Sequence, residues 1–456
     1  MAGGTDPTTG KRQWVYAAKV KGKFQRIHRI SGVLLNLLLF LTPWIPIGGH
    51  PAVQLDLAQR RLFLLGSVFT PRDTIFLVLM LLGAAFTLFF VTALFGRLWC
   101  GYACPQTVFL EEFIRPIETF WEGDRGKRMA GDKKPWTARK VLRKLGKHTS
   151  FAVVAAVIAM TFVSYFSGPV PLWTGAASVG AYSMVAAVGA ALFVDFAWFR
   201  EQFCNYLCPY ARFQGALTDD HSVVIEYDAP RGEPRMKGKS RKVALQLNND
   251  VGACIDCNKC VTVCPQGIDI RDGFQLECIN CARCVDACTI VMDKKGQDSL
   301  VRYTTIADST GEGSRWLRPR TVGYTALLTG LATAFLFLAA NRHSLEATVN
   351  RAPGTLFQVD DDGWTRNTYL LNISNNAADN ADTVDVSLDG IDGAELIVPP
   401  IQVDSAHAVN VPLVVRVPPG ASVSRTTPVR ITVRTEADEV TVDTTFKSGE
   451  ALKLEG

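Results

Sequence analysis

Histidine is scarce, six in 456 residues, and its placement excludes one cofactor. A membrane-embedded haem needs two histidines facing each other between spanning helices. Here His28 and His50 flank the first apolar run, and His148, His221, His343 and His407 fall in loops or in the C-terminal tail, so no haem is expected. Cysteine is missing beyond Cys288. The tail therefore holds no disulfide, and His343 and His407 lack the companions that would make them a metal pair. No small-residue cleavage site follows the first apolar run, so the chain reads as retaining its first helix rather than losing a leader. The basic stretches lack interleaved stacking aromatics, and no nucleic-acid partner is expected.

What the chain has in excess is apolar surface. Apolar residues make up 48% of it and its mean hydropathy is +0.13. Five runs, 30–48, 74–96, 151–169, 178–198 and 321–340, approach the roughly 20 residues that cross a bilayer. Pro43 and Pro46 blur the end of the first, and Ser164, Ser167 and Pro169 the end of the third. Lysine and arginine number 7 in 1–29, 12 in 97–150 and 17 in 200–320, against 3 in 49–73 and none in 170–177. The positive-inside rule then places the N-terminus in the cytoplasm and the C-terminus outside the inner membrane. The tail beyond 340 carries 17 acidic residues and 9 basic ones. The net charge of +5 thus sums two opposite domains, and its basic part reads as topology.

All 12 cysteines lie in segments assigned to the cytoplasmic side, where thiols stay reduced. Eight form two C-x2-C-x2-C-x3-C runs, Cys254, Cys257, Cys260, Cys264 and Cys278, Cys281, Cys284, Cys288. Three thiolates at this spacing wrap one cubane, and the fourth caps the neighbouring cluster. The expected ligand sets are Cys254, Cys257, Cys260 and Cys288 for cluster one, and Cys278, Cys281, Cys284 and Cys264 for cluster two. Pro265 follows the first run as the motif expects, whereas Thr289 stands where a second proline belongs. Zinc ribbons would leave Cys264 and Cys288 without a purpose.

The other four cysteines repeat a different pattern. Cys100, Tyr102, Cys104, Pro105 and Phe109 match Cys204, Tyr206, Cys208, Pro209 and Phe213, with Arg97 and Arg200 just upstream. Each copy ends an apolar run, so 30–109 and 151–213 read as two parallel hairpins of a duplicated unit. Proline after the second cysteine disfavours helix there and opens a turn. Brought together, Cys100, Cys104, Cys204 and Cys208 offer either a thiolate site for a soft metal such as Cu(I) or two dithiol/disulfide pairs. The plain alternative is that they are small buried hydrophobes.

Asp195 near the inner end of the fourth run is either a functional acid or a helix-end carboxylate paired with Arg200. Tyr102 and Tyr206 either move a proton, line a quinone pocket or anchor the interface. Trp99, Trp121 and Trp136 mark the interface of the 97–150 loop. The expected organisation is a basic N-terminus at 1–29, a four-helix membrane region at 30–213, and a linker at 214–245. A cluster domain at 246–296 and a second linker at 297–320 follow. A fifth helix at 321–340 and an exported tail at 341–456 complete it. Alternating apolar and polar residues between turn signals make that tail an antiparallel immunoglobulin-like sandwich.

Several stretches together resemble one family. They are "TPWIPIGG" at 42–49, "LDLAQRRLFLLG" at 55–66, "LWCGYACPQTVFLEEF" at 98–113, "FCNYLCPYARFQ" at 203–214, the double cluster motif and the β-rich tail. The chain is similar over nearly its whole length to the cytochrome c oxidase accessory proteins called CcoG, FixG or RdxA. The resemblance implies a helical membrane bundle with an inserted bacterial-type 2[4Fe–4S] ferredoxin domain and an exported immunoglobulin-like domain. It further implies a role in assembling cbb3-type oxidases by reducing Cu(II) to Cu(I), with oxidase subunits or copper assembly factors as partners. On that reading copper is held transiently at Cys100, Cys104, Cys204 and Cys208, and electrons come from a cytoplasmic donor or from quinol. The C-x3-C-P element also occurs in quinol-linked membrane ferredoxins. A quinol-linked electron-transfer subunit and a redox-sensing assembly scaffold are therefore the alternatives.

Overall fold

The computed structural model describes residues 14–449, apart from 48, 58, 59, 249, 342–344, 355, 376–381, 404–407, 422, 436 and 437. His343 and His407 lie outside the described residues. The chain divides into two compact units, one of residues 1–43 and 76–334, the other of 44–75 and 335–456.

Among the described residues, five helices are long and apolar enough to span a membrane. They are Lys23–Leu41, Thr74–Phe95, Ala138–Ser167, Val179–Val194 with a π-helical continuation to Phe199, and Pro319–Ala340. Thr137 and Ser178 cap the third and fourth by accepting from the Lys140 and Ala181 amides, as short hydroxyl side chains do at helix starts. Two helices differ from the sequence reading in where they begin or end. The first helix starts at Lys23 and stops before Pro43, and the third starts at Ala138, well before the apolar run. Hydropathy marks only the part of a helix that meets hydrocarbon, whereas a helix keeps its hydrogen bonds through a charged end. His28 and His148 consequently sit within helices rather than beside them.

The cluster domain is wider than the cysteine runs. Val223–Tyr227 pairs antiparallel with Val301–Thr305, setting Ile225 opposite Tyr303. Both strands fall in stretches expected to be linkers, as does the helix Gly238–Gln246. Ile225, Ile268, Ile270, Val285, Met292, Leu300 and Val301 form a buried core around the cysteines. A two-stranded ribbon thus closes the domain, and the chain enters and leaves it side by side.

The second unit contains the immunoglobulin-like sandwich. One sheet runs in the order Glu395–Ile397, Ala408–Val417, Thr365–Asn375, Leu345–Arg351, with Gln358–Val359 beside Thr365–Asn375. The other runs Ile401–Val403, Asp382–Asp389, Thr426–Arg434, Glu439–Lys447. Alternate residues of both, including Tyr369, Leu371, Leu413, Val415, Ile431, Val433 and Phe446, are fully buried. The period-two pattern in the sequence is this in-and-out alternation. The same unit holds a small meander, Val53–Asp56, Arg61–Leu64 and Ser67–Phe69, that the sequence reading did not anticipate.

Candidate iron–sulfur and thiol site

The two cysteine runs fold alike. Asp256 and Asn258 flank Cys257 with φ of 50° and 54°, and Asn280 and Ala282 flank Cys281 with φ of 52° and 55°. Residues other than glycine rarely adopt this left-handed conformation, and Ala282 has no side-chain hydrogen bond to favour it. Strain repeated at matching positions of two loops is a device for coiling the chain around an object. Two cavities lie inside these coils. One is lined by Cys254, Cys257, Cys260 and Cys288, the other by Cys264, Cys278, Cys281 and Cys284, and Cys260 lines both.

The donor set fits [4Fe–4S] clusters. Burial pushes the thiols of Cys260, Cys278 and Cys281 up to about 12, so without a compensating cation they hold their protons. Burial also raises Cys264, but the backbone amides of Ile268, Gln266 and Gly267 donate toward its sulfur and favour the thiolate. Among the described residues no three His, Cys, Asp or Glu side chains stand close enough to share a single metal ion. Ligands of a cubane, each on its own iron, stand farther apart than ligands of one ion. Exposure separates the two cavities, since Cys257 is exposed whereas Cys278, Cys281 and Cys284 are buried. Thr289 also finds its reason. The helix Arg283–Asp293 runs on through Cys288, Thr289 bonding back to the Val285 carbonyl at 2.9 Å, where a proline would break it.

The repeated C-x3-C-P elements have matching turns. Cys104 and Cys208 are extended, with ψ of 126° and 113°, and each immediately precedes a helix that begins at its proline. This is the geometry that a following proline imposes. Arg97 of the first copy donates to the Ala211 carbonyl of the second at 2.7 Å, and Gln214 Nε2 reaches Cys100 Sγ at 3.4 Å. The thiols are near enough to feel one another's charge, Cys204 responding to Cys104, Cys100 and Cys208. Burial pushes Cys100 up to about 11 and raises Cys104 as well. All four are free thiols, and they are gathered without being at single-ion spacing.

The two thiol systems touch. Cys100 is buried against Ile279 and Cys281. A Cβ on Gly101 would lie 2.6 Å from the Ile279 carbonyl and 3.1 Å from the Cys281 backbone, so only glycine lets the chains approach this closely. Tyr102 and Tyr303 meet hydroxyl to hydroxyl at 3.2 Å, and Tyr303 donates to the Asn280 carbonyl at 2.5 Å. Tyr206, by contrast, is largely exposed.

Buried charges lock the cluster domain to the helices. Glu111 pairs with Arg115 at 2.8 Å and with Arg283, the residue before Cys284, at 2.6 Å. Burial alone would raise Glu111, but Arg115 and Arg283 override it and hold its pKa at about 2. Asp286 accepts from the Phe24 and Gln25 amides at 3.2 and 2.7 Å, capping the first spanning helix from the cluster domain. Arg200 does not pair with Asp195. Its guanidinium goes to Glu118 at 2.6 Å, and Asp195 accepts from Gln106 at 2.8 Å. Sequence reasoning singled out neither Gly101, Tyr303, Glu111, Arg283 nor Asp286. A glycine inside a cysteine motif was the one signal available.

Spanning helices, paired four-cysteine cavities and an immunoglobulin-like sandwich define a membrane iron–sulfur protein. Known families agree with each part. A 4Fe-4S dicluster domain matches residues 199–306, a 4Fe-4S binding domain 76–121, and the Ig-like fold at the C-terminus of FixG 335–449. The chain is 32% identical over 432 residues to the nitrogen fixation protein FixG of Rhizobium meliloti, covering 86% of this chain and 82% of that one. It is 37% identical to protein RdxB and 32% identical to protein RdxA of Cereibacter sphaeroides, in each case over 391 residues and 81% of both chains. The chain belongs to the FixG/RdxA/RdxB family.

Proposed function

We propose that this protein is a membrane oxidoreductase that reduces Cu(II) to Cu(I) at Cys100, Cys104, Cys204 and Cys208, serving the copper centre of a cbb3-type oxidase. The supporting observation is the contact of Gly101 and Cys100 with Ile279 and Cys281, which brings the membrane thiols against the wall of the second cysteine cavity. Bound in the two cavities, with ligand sets Cys254, Cys257, Cys260, Cys288 and Cys278, Cys281, Cys284, Cys264, [4Fe–4S] clusters would supply single electrons, as a one-electron copper change requires. The exposed Cys257 marks the end open to a donor. At the other end, soft thiolates favour Cu(I) over Cu(II), so the site that accepts the ion also retains its reduced form. With the four thiols not at single-ion spacing, two thiolates suffice for Cu(I), and binding displaces their protons. In this reading the N-terminus and cluster domain are cytoplasmic, the sandwich is outside the inner membrane, and oxidase subunits or copper assembly factors are its partners.

One observation favours a second reading, in which quinol rather than a soluble donor at Cys257 supplies the electrons, entering beside the membrane thiols. Asp195 Oδ1 is buried without a hydrogen-bond partner, and Oδ2 is held by Gln106, two residues past Cys104. Quinol oxidation releases protons and needs such an acceptor.

The test uses the full-length protein, anaerobic and with reduced clusters, mixed with Cu(II) while cluster absorbance and chelator-captured Cu(I) are followed together. The expected result is one Cu(I) per electron lost. Changing Cys100, Cys104, Cys204 and Cys208 to Ser should abolish the rapid phase with the cluster spectrum intact. Equal rates in both proteins would overturn the copper site. Quinol reduction of the oxidised clusters, lost in D195N, would identify the donor.

A further inference from the structure

Each copy of the C-x3-C-P element has an arginine just upstream, and the two are compensated differently. Arg200 is fully buried beside two carboxylates, Glu118 at 2.6 Å and Glu201 at 3.5 Å. Arg97 is half-buried, and among the described residues no carboxylate pairs with it. Its guanidinium donates to the carbonyl of Ala211, three residues past Cys208, at 2.7 Å. A carbonyl oxygen satisfies a donor without neutralising its charge.

The backbone on either side of Arg97 lies against the loop of the second cysteine cavity. Gly96, with φ of 57°, has no room for a Cβ, which would stand 2.6 Å from the Val223 carbonyl and 2.9 Å from Asn280 Nδ2. Asn280, between Cys278 and Cys281, donates to the Phe95 carbonyl at 3.4 Å. Three residues past Arg97, Cys100 packs against Cys281. Arg97 thus leaves the chain between two contacts with the cluster-two loop, and its side chain ends on the second C-x3-C-P copy. Its field reaches both. Burial raises the thiols of Cys100, Cys204 and Cys278, and Arg97 draws all three back down. Two other arginines act on sulfurs of this cavity, Arg115 on Cys264 and Arg283 on Cys281, but both are paired with Glu111.

We propose that Arg97 is a positioning residue for electron transfer, an uncompensated cation between the second cysteine cavity and the membrane thiols that stabilises the reduced state of a cluster held there. Reduction adds one negative charge to a cluster, and net charge is among the factors that set its potential. A fixed cation therefore raises the potential of cluster two, so that an electron passed on from the Cys257 end comes to rest nearest the thiols. When Cu(II) takes that electron and becomes Cu(I), the cluster is oxidised by one electron and Arg97 keeps its proton. Occupation of the two cavities by clusters is the only part of the proposed function on which this rests.

The test is an anaerobic redox titration of the full-length protein in detergent, without copper, in which EPR follows the two one-electron cluster steps. In R97Q the equilibrium constant for reducing one cluster should fall roughly tenfold, a drop of about 59 mV, while the other step moves much less. R97K keeps the charge and should stay at the wild-type potential. Should R97Q lose its clusters, A211D, which sets a carboxylate beside an Arg97 left in place, is the substitute and should give the same drop. Unchanged potentials in cluster-loaded R97Q or A211D, an equal shift of both steps, or an equal shift in R97K and R97Q overturns the inference. A lowered potential in R97Q alongside equal Cu(I) rates in wild type and the four-serine variant would sink the copper site and leave this role of Arg97 standing.

Discussion

Two residues show how tightly the thiol site is built. Gly101 has no room for a methyl group, because the Ile279 carbonyl lies 2.6 Å from where its Cβ would be. Substituting Ala forces the cysteine loops apart, at a cost of about 1–3 kcal/mol. The expected result for G101A is a lower Tm and Cu(I) formation slowed at least several-fold, with cluster absorbance retained. Slowing without loss of clusters would locate the defect in the contact rather than in cluster binding. Arg200 is strained in another way, its φ of 54° being rare for a side-chain-bearing residue. Two hydrogen bonds to Glu118 and the face of Trp14, 5.0 Å away, hold it there. E118Q removes the nearest counter-charge of Arg200 and Arg128, leaving them only the longer contacts to Glu201 at 3.5 Å and Glu122 at 4.0 Å, and should destabilise the first unit by about 1–3 kcal/mol in denaturant melts.

At the scale of elements, helix ends are completed by distant parts of the chain. The last carbonyls of the second spanning helix accept from elsewhere, Ala93 O from Ser222 and Arg318, and Phe95 O from Asn280. The first spanning helix receives its cap from Asp286, and Gly22 leaves the space this carboxylate occupies. D286A should cost about 1–2 kcal/mol and make the junction at Gly22 the first site of limited proteolysis. The Glu111 pairs carry a pH signature. Its folded-state pKa of about 2 lies below the ordinary 4.5, so it stabilises the docked domain fully above about pH 4.5 and progressively less toward pH 2. Melting followed by tryptophan fluorescence should therefore be insensitive to Glu111 from pH 8 to 5. Below that, wild type should lose stability faster than E111Q, which starts lower and lacks this acid limb.

At the scale of the whole molecule, the two units have separate cores. The sandwich buries Tyr369, Leu371, Ile431 and Phe446 among its own strands, and the cluster domain packs around its cysteines. F446A should lower sandwich stability by about 3–5 kcal/mol and leave the visible cluster spectrum unchanged. Calorimetry would show one transition moving and the other staying. Joint movement would mean that the units unfold as one.

Much of this was legible in the chain because it depends on local spacing. Five apolar runs make spanning helices wherever hydrocarbon is available, alternating residues make a two-faced strand, and cysteines three and four apart curl into a loop. Proline after Cys104 and Cys208 set their extended backbone for the same reason, a clash between neighbours in sequence. What lies between distant segments was not legible. The strands at 223–227 and 301–305 read as linkers because five residues carry little periodicity, and only their pairing with each other makes them a ribbon. Likewise Arg200, expected beside Asp195, took Glu118, and nothing in the sequence around Asp286 announced that it would accept from the first spanning helix. Local sterics and burial periodicity are written residue by residue. The meeting of Gly101 with Cys281 is decided by the packing of segments 180 residues apart, and only tertiary structure could put a membrane thiol against a cluster loop.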